Sequence, residues 1–362
     1  MRAALALAVG LLPLAAWAQE TALDRDPAPF RLVPAARGTA VRPRPGKVEE
    51  GATALRWLAS VQGEDGGWAS PDGRRDVATT ALALLAFTAN RCTQRFGSFK
   101  RHVDAGLRWL LRAQQEDGWL GPAEADPLAI LDHALATRAL CDALLRSHDR
   151  PLLLAPARAA VARLLAARAP DGGFGLSRPG AASNALCTAY GLLALEAAAG
   201  AGLAAPPEVM ADLARALDGF GDDAGEAGMF APGDALSVAL DDPDPPRVPL
   251  LVAAVAAARA IAVAGDDPRL AAHAARLAPP DGLQDEPAYY HLGLRAERAA
   301  GTLTRDRARA WFIATLALQE PDGGFRAAGL WGAIAGRVGA SAECALALEV
   351  YFDHDLERSQ ER

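Results

Sequence analysis

The chain repeats one phrase, in which an apolar, helix-like segment ends in Gln and runs into Asp-Gly and an aromatic residue. The two clearest copies lie at 55–68 and 107–119, and weaker copies end at Phe174 and Phe325. Internal repetition of this kind indicates that one helical unit is stacked several times along the chain. We therefore expect function to reside where the copies converge.

The spacing of the repeated aspartates predicts what each copy contains. The copies follow one another at roughly 50 residues, which leaves room for two helices in each. Their aspartates are Asp65, Asp117, Asp171, Asp222, Asp281 and Asp322. The glycine after the aspartate is expected to adopt a positive φ, and the Gln before it is expected to bond free carbonyls in the last helical turn.

Each copy is predicted to pair an amphipathic helix with a more apolar one. The amphipathic, outer helices are predicted at 48–62, 102–115, 156–168, 207–219, 268–277 and 305–319. The apolar, inner helices include 79–89, 134–145, 185–199, 247–264 and 341–351. Strict alternation predicts an all-α fold, a closed (α/α)6 toroid, with an open solenoid as the alternative. Closure is favoured because the last copy lacks the polar face that open arrays need at their ends.

Several of these segments resemble a known superfamily. The Gln…Asp-Gly-Trp/Phe phrase, the segment 76–87 and the closing segment 331–351 are similar to the QW-type repeats of squalene–hopene cyclases and protein prenyltransferases, in particular of exported bacterial proteins with such repeats. The resemblance covers about residues 48–353. It implies the terpenoid cyclase-like toroid, but the same toroid serves cyclases, transferases and proteins without enzymatic activity.

The amino terminus predicts export. Residues 1–18 have the pattern of a secretory signal peptide cleaved after Ala18, so a periplasmic or secreted protein is expected. Residues 19–47, rich in Pro and Arg, are expected to form a flexible leader to a toroid domain at 48–355, and 356–362 a charged tail.

Composition excludes some classes of partner. The net charge of −7 is spread along the chain, which argues against nucleic acid. No long apolar run follows the leader, so an integral membrane protein is not expected. The four cysteines, at 92, 141, 187 and 344, are interpreted as small buried hydrophobes, although pairing between them is left open.

The resemblance allows the cyclase and transferase sites to be checked residue by residue. Cyclases of this kind carry Asp-x-Asp-Asp, whose middle Asp protonates the polyene, but this chain has Ala78 at that position and Thr79 after it. Alanine offers no proton, so ordinary class II cyclisation is not expected unless a different acid lies elsewhere.

Prenyltransferases hold zinc through Asp-x-Cys and a later His. Here Tyr290-His291 is similar to the His segment, but no Asp-x-Cys precedes it. Neither a metal nor another cofactor is therefore expected.

Polar residues near the starts of the inner helices are the candidate site. Counting back four residues from Thr80, Thr137 and Thr188 gives Asp76, His133 and Asn184, and Asp132 adjoins the second. Parallel inner helices would bring these groups to one mouth of the toroid, where the remaining candidates are Tyr289, Tyr290, His291, Arg337 and Glu343. The alternative is that these side chains merely cap their helices. A carboxylate close to His133 would raise the pKa of the imidazole towards neutrality.

Three functions are compatible with these observations. The first is a binding or scaffold module around an axial cavity, with a lipid or another small hydrophobic molecule as a candidate ligand. The second is a cyclase-like or prenyltransferase-like enzyme on a lipid or polyprenoid, with Asp76, Asp132 and His133 as acid or base groups. The third is a secreted glycan hydrolase or lyase, which usually needs paired carboxylates and exposed aromatic residues. The sequence does not decide whether the protein is an enzyme.

Overall fold

Twelve α-helices form within the residues that the computed structural model describes, namely 49–73, 76–122, 126, 128–176, 182–225, 227–228, 249–263, 266–279, 286–327 and 329–360. In chain order the helices are α1 (Glu49–Ser60), α2 (Val77–Ala89), α3 (Lys100–Ala113), α4 (Ala129–Ser147), α5 (Arg150–Ala166), α6 (Ala185–Gly200), α7 (Pro207–Asp218), α8 (Pro249–Ala262), α9 (Pro268–Arg276), α10 (Pro287–Ala299), α11 (Arg305–Leu316) and α12 (Gly329–Gln360). Extended pairing in these ranges is limited to three isolated bridges.

The even-numbered helices form a closed inner ring. Each packs against the next even-numbered helix, and α12 returns to pack against α2. The odd-numbered helices lie outside, most of them against the inner helices on either side. The predicted closed (α/α)6 toroid is confirmed, and the open solenoid is not formed.

The composition of the helices explains which layer they occupy. Every residue of α2 is buried, as its run of Ala, Leu and Thr requires. In α3 the buried residues are confined to one stripe, Val103, Gly106, Leu107 and Leu110, which follows the helical period. Free energy is gained by covering that stripe, and the polar remainder of α3 stays in water.

The described Asp-Gly turns each join an outer helix to the following inner helix, so they lie at one end of the ring, here called the Asp-Gly end. They are the turns at Asp65, Asp117, Asp171 and Asp322. In the first copy Gly66 has a φ of 94°, and the Asp65 carboxylate accepts a hydrogen bond from the indole of Trp109 at 3.0 Å. The prediction that the preceding Gln bonds free carbonyls of its own last helical turn is wrong. The Gln62 amide donates to the carbonyl of Gly66 at 2.8 Å and to that of His102 at 3.0 Å, so it ties the turn to the outer helix of the next copy.

Helices α4 and α5 begin five or six residues earlier than the sequence predicts. Helix α4 begins at Ala129 instead of residue 134, because Asp126 accepts a hydrogen bond from the backbone of Leu128 at 2.9 Å and starts the helix there. Helix α5 begins at Arg150 instead of 156, with Pro151 in its first turn, where a missing N–H is harmless. The later Pro156 stays inside the helix.

The last helix is two segments joined at Gly336. This glycine has a φ of 58° and a ψ of −156°, and the chain after it forms the sixth inner helix. The helix continues to Gln360, through most of the segment expected to be a charged tail.

Some predictions fall outside the described residues. They are the signal peptide, the leader and the Asp281 turn. Among the helices that are described, none has the length and apolar character needed to cross a membrane. All four cysteines are buried and free.

Candidate functional site

One side chain from the first turns of an inner helix anchors the Asp-Gly turn of the same copy. The anchor accepts a hydrogen bond from the backbone N–H of the third residue after the aspartate. The four anchored pairs are Thr80 with Trp68 at 3.0 Å, His133 with Leu120 at 3.0 Å, Thr188 with Phe174 at 3.0 Å, and Ser341 with Phe325 at 2.8 Å. These four anchors are therefore equivalent positions and define the register between the copies.

This register corrects the interpretation of His133. The sequence-based alignment equated His133 with Asp76, but the structure equates it with Thr80, one helical turn further along. The imidazole is fully buried, bonds the N–H of Leu120 and the carbonyl of Ala160, and stacks on Trp119 at 4.4 Å. Burial lowers the pKa of His133 to about 4, opposite to the predicted rise. His133 thus holds the turn and does not face the axis with Asp76.

Asp76 and Asn184 are helix caps. The Asp76 carboxylate accepts from the backbone N–H of Thr79 at 2.6 Å, and the Asn184 side-chain oxygen accepts from Leu186 and Cys187 at 3.0 and 3.1 Å. Two polar atoms at these helix starts remain unused by capping. The Nδ2 of Asn184 is buried without a hydrogen-bond partner, as is the Oγ1 of Thr79.

Asp132 is the buried carboxyl group of this region. It is 8% exposed, and no hydrogen bond joins its side chain to the described part of the chain. Burial raises the pKa of Asp132 to about 8, and the negative charges of Asp76 and Asp126 contribute to the rise. Near neutral pH, Asp132 is therefore largely a neutral carboxylic acid, which can donate as well as accept a hydrogen bond.

The cluster predicted at 289–291 divides between two environments. Tyr289 donates to the carbonyl of Ala278 at 2.8 Å, and both tyrosines pack against Trp311 of the outer helix α11. His291 turns the other way and contacts Glu343. Both tyrosines thus pack between the layers, whereas His291 contacts a residue of the next inner helix, Glu343 of α12.

Arg337 is held at the Asp-Gly turn of the sixth copy. Its guanidinium pairs with Asp322 at 2.7 Å and lies over the ring of Trp57, 4.7 Å from the centroid. These contacts tie the sixth copy to the first and so contribute to ring closure.

A layer of buried polar side chains spans the inner ring, here called the cross-axis layer. Tyr190 of α6 donates to one oxygen of Glu343 in α12 at 2.7 Å, and His291 Nδ1 of α10 donates to the other oxygen at 2.7 Å. Because α6 and α12 are the third and sixth inner helices, they stand opposite each other. Their contact therefore crosses the centre of the ring.

The cross-axis layer contains an ionised glutamate. Burial opposes the ionisation of Glu343, but its partners His291 and Tyr190 and the charge of Arg138 together lower its pKa. Burial lowers the pKa of His291 and raises that of Tyr190. A carboxylate thus accepts hydrogen bonds from a neutral imidazole and a phenol, an arrangement that satisfies both of its oxygens.

Sequence reasoning brought His291 and Glu343 to the same end of the toroid but missed Tyr190 and Arg138. A signal for Arg138 existed, because it is a charged residue inside the apolar run of α4. No group of His, Cys, Asp and Glu side chains that could hold a metal ion is found within the described ranges.

Comparison with known proteins supports the architecture. No family model and no curated protein matches the chain. Among solved structures, an inactive variant of the α-1,6-mannanase GH76A of Salegentibacter sp. with bound α-1,6-mannotriose aligns with a TM-score of 0.60 at 10% identity, over 84% of this chain and 98% of the other. The type II terpene cyclase MstE from Scytonema aligns with a TM-score of 0.57 at 14% identity, over 84% and 97%. A novel α-amylase from Clostridium perfringens aligns with a TM-score of 0.54 at 11% identity, over 86% and 99%.

At these identities the likeness concerns the fold alone. The chain is an α/α toroid similar in architecture both to terpene cyclases and to glycoside hydrolases, two classes with unrelated chemistry.

Proposed function

We propose that this protein is an exported ligand-binding toroid that does not cyclise polyprenes. The observation that carries the proposal is the cross-axis layer, which puts an ionised glutamate and its hydrogen-bond partners in the middle of the ring. A long apolar substrate needs a continuous apolar cavity, and polar groups placed against it would lose their solvation. Ala78 supports the same conclusion, because it stands where the resemblance to cyclases requires the proton donor.

The proposed ligand site lies at the Asp-Gly end, above the cross-axis layer. Thr79 and Asp132 are equivalent positions, each directly before the anchor of its copy, and Asn184 caps the next inner helix. They offer a hydroxyl, a neutral carboxyl and an amide NH2, and each retains a polar atom without a partner among the described residues. Such groups exchange hydrogen bonds with hydroxyls, so a hydroxyl-rich ligand such as an oligosaccharide fits them best.

A pair of threonine variants tests this site. Thr79→Val removes a hydroxyl without a partner, so thermal stability should be unchanged or slightly higher. Thr80→Val removes the anchor of Trp68 and should cost about 1–3 kcal/mol. Saccharide binding, measured by calorimetry with α-1,6-mannotriose and maltotriose, should be present in the wild type, weakened in Thr79→Val and retained in folded Thr80→Val. Equal binding by wild type and Thr79→Val, or no binding of either sugar, would contradict the proposed site.

The cyclase alternative has a direct test. Incubation with squalene or geranylgeranyl dihydroxybenzoate, followed by mass spectrometry of the extract, should return only the substrate. An active type II cyclase run in parallel serves as the positive control. A cyclic product from the wild-type chain would revive the lipid hypothesis and require an acid other than the residue at position 78.

A second candidate function is hydrolysis of a glycan, which one observation favours. Asp132 is a buried acid with a pKa of about 8 close to the carboxyl groups of Asp76 and Asp126, and a protonated carboxyl beside a carboxylate is the pairing that glycosidases use. Release of reducing ends from α-1,6-mannotriose, lost in Asp132→Asn, would establish it. Binding without turnover leaves the protein a binding module.

A further inference from the structure

Arg138 is a buried cation in the interior of the ring. It lies in the middle of α4 and is 8% exposed. Its Nη1 atom is buried without a hydrogen-bond partner, and the side chain makes no hydrogen bond to any described residue. Burial lowers the pKa of Arg138, and the positive charge of Arg295 lowers it further.

Such a group is costly to leave unpaired. A guanidinium keeps its proton in proteins, so it cannot escape the cost of burial by becoming neutral. Glu343 is close enough for its charge to favour the cation, but its two oxygens accept from Tyr190 and His291 and neither accepts a hydrogen bond from Arg138. The N–H groups of Arg138 therefore lack an acceptor that the described chain supplies.

Arg295 lies at the same depth of the ring. It follows His291 by one helical turn, and Arg138 lies one turn beyond the position in α4 that corresponds to Tyr190, so both arginines lie just past the cross-axis layer. Arg295 pairs with Glu196 at 2.6 Å, and its own Nε is buried without a partner.

Solvent reaches this depth from the end of the ring opposite the Asp-Gly turns. The side chain of Glu196 is 47% exposed although it belongs to the inner helix α6, and that of Arg295 is 26% exposed. The exposure decreases from Glu196 through Arg295 to Arg138. This gradient puts the two arginines at the inner limit of solvent access, and the region bounded by these three side chains is here called the recess.

We propose that this recess binds an oxyanion, the carboxylate or phosphate group of a small ligand, between Arg138 and Arg295. A planar guanidinium presents paired N–H donors that match two oxygens of a carboxylate or phosphate. The anion occupies the acceptor position that Glu343 and Glu196 leave open. The site lies on the other side of the cross-axis layer from Asp132, so it is separate from the proposed saccharide site, and either can fail without the other.

Titration calorimetry with inorganic phosphate tests the site. The protein is held in a phosphate-free buffer at constant ionic strength, with chloride as the reference anion. Wild type should bind phosphate saturably, and Arg138→Gln should weaken binding at least tenfold. Arg108→Gln is the matched control, because Arg108 pairs with Asp104 on the surface, where its side chain is 57% exposed. Parallel titrations with octyl phosphate and octanoate distinguish a phosphate ester from a carboxylate as the source of the anion.

A second measurement separates binding from a structural role. Arg138→Gln removes a buried charge without a hydrogen-bond partner, so without phosphate its melting temperature should equal or exceed that of the wild type. Phosphate should then raise the melting temperature of wild type and Arg108→Gln but not of Arg138→Gln. The proposal is wrong if chloride acts as phosphate does, if Arg138→Gln binds phosphate like the wild type, or if Arg138→Gln melts lower in phosphate-free buffer while wild type does not respond to phosphate.

Discussion

Replacing Asp132 by Asn should stabilise the protein, and the gain should increase with pH. The pKa of Asp132 rises from 3.8 to about 8 on folding, so the folded protein binds a proton that the unfolded chain releases. Stability contributed by this group is complete at low pH and is lost as the pH rises from about 4 to about 8, where the folded carboxyl ionises. Asparagine has a similar shape, stays neutral and avoids this loss.

The size of this stability loss follows from the shift in the pKa of Asp132. One pKa unit corresponds to about 1.4 kcal/mol, so at about pH 7 the wild type has lost roughly 4 kcal/mol through Asp132. Other groups titrate in the same range. The pKa of His133, for example, is lowered to about 4, so below about pH 6 this residue makes stability rise with pH and opposes the effect of Asp132. Their effects cancel when the two proteins are compared at each pH.

The assay is urea denaturation of wild type and Asp132→Asn between about pH 5 and about pH 9. The difference in unfolding free energy should grow by about 1.4 kcal/mol per pH unit up to about pH 8 and then level off. Asp104→Asn, at an exposed pair with Arg108, should differ from wild type by less than about 1 kcal/mol throughout. A difference that does not depend on pH would show that Asp132 is not a buried proton carrier and would remove the basis for the glycosidase hypothesis.

Three further predictions concern the turns, the cross-axis layer and export. Gly118→Ala should destabilise the protein more than Gly73→Ala, because a Cβ at Gly118 would lie 2.5 Å from the carbonyl oxygen of Ala159. Gly73 has a similar positive φ but open space around it, so it is the matched control. Thermal unfolding of the two variants measures the difference. Glu343→Ala should cost about 3–5 kcal/mol in urea denaturation, since it leaves buried partners without their acceptor, and a loss below about 1 kcal/mol would refute the cross-axis layer. Mass analysis of secreted protein should find a chain beginning at Gln19, and a retained Met1 would contradict export.

The fold was predictable because its determinants are local. Helical periodicity, the Asp-Gly turn and the alternation of amphipathic with apolar segments all act within a single copy. Ring closure followed from the number of copies and from the apolar last helix. The helix starts at Ala129 and Arg150 were missed because Asp126 and Pro151, and not the first apolar residues, set them.

The candidate site was predicted less well because the alignment of the copies depends on which side chain accepts the hydrogen bond of the turn, and not on residue type. The anchor of a turn needs an acceptor for one backbone N–H, and threonine, serine and histidine all supply it. Matching Thr137 with Thr80 by residue type therefore displaced the second copy by one helical turn. With His133 recognised as the anchor, Asp132 becomes the equivalent of Thr79, and these two residues fall into one region with Asn184.

The interior contacts required knowledge of which helices stand opposite each other. Tyr190 and Glu343 are far apart in sequence and meet only because the ring closes with two inner helices between theirs on either side. A simpler rule would nevertheless have pointed to Arg138. Inner helices have neighbours on both flanks and an outer layer behind them, so a charged residue in an apolar inner helix needs either an ion-pair partner from the outer layer, as Arg259 has in Asp267, or the axis as its polar outlet. Arg138 makes no ion pair with a described residue, so the rule directs it to the axis, and its N–H groups without an acceptor are what make an anionic ligand the natural partner.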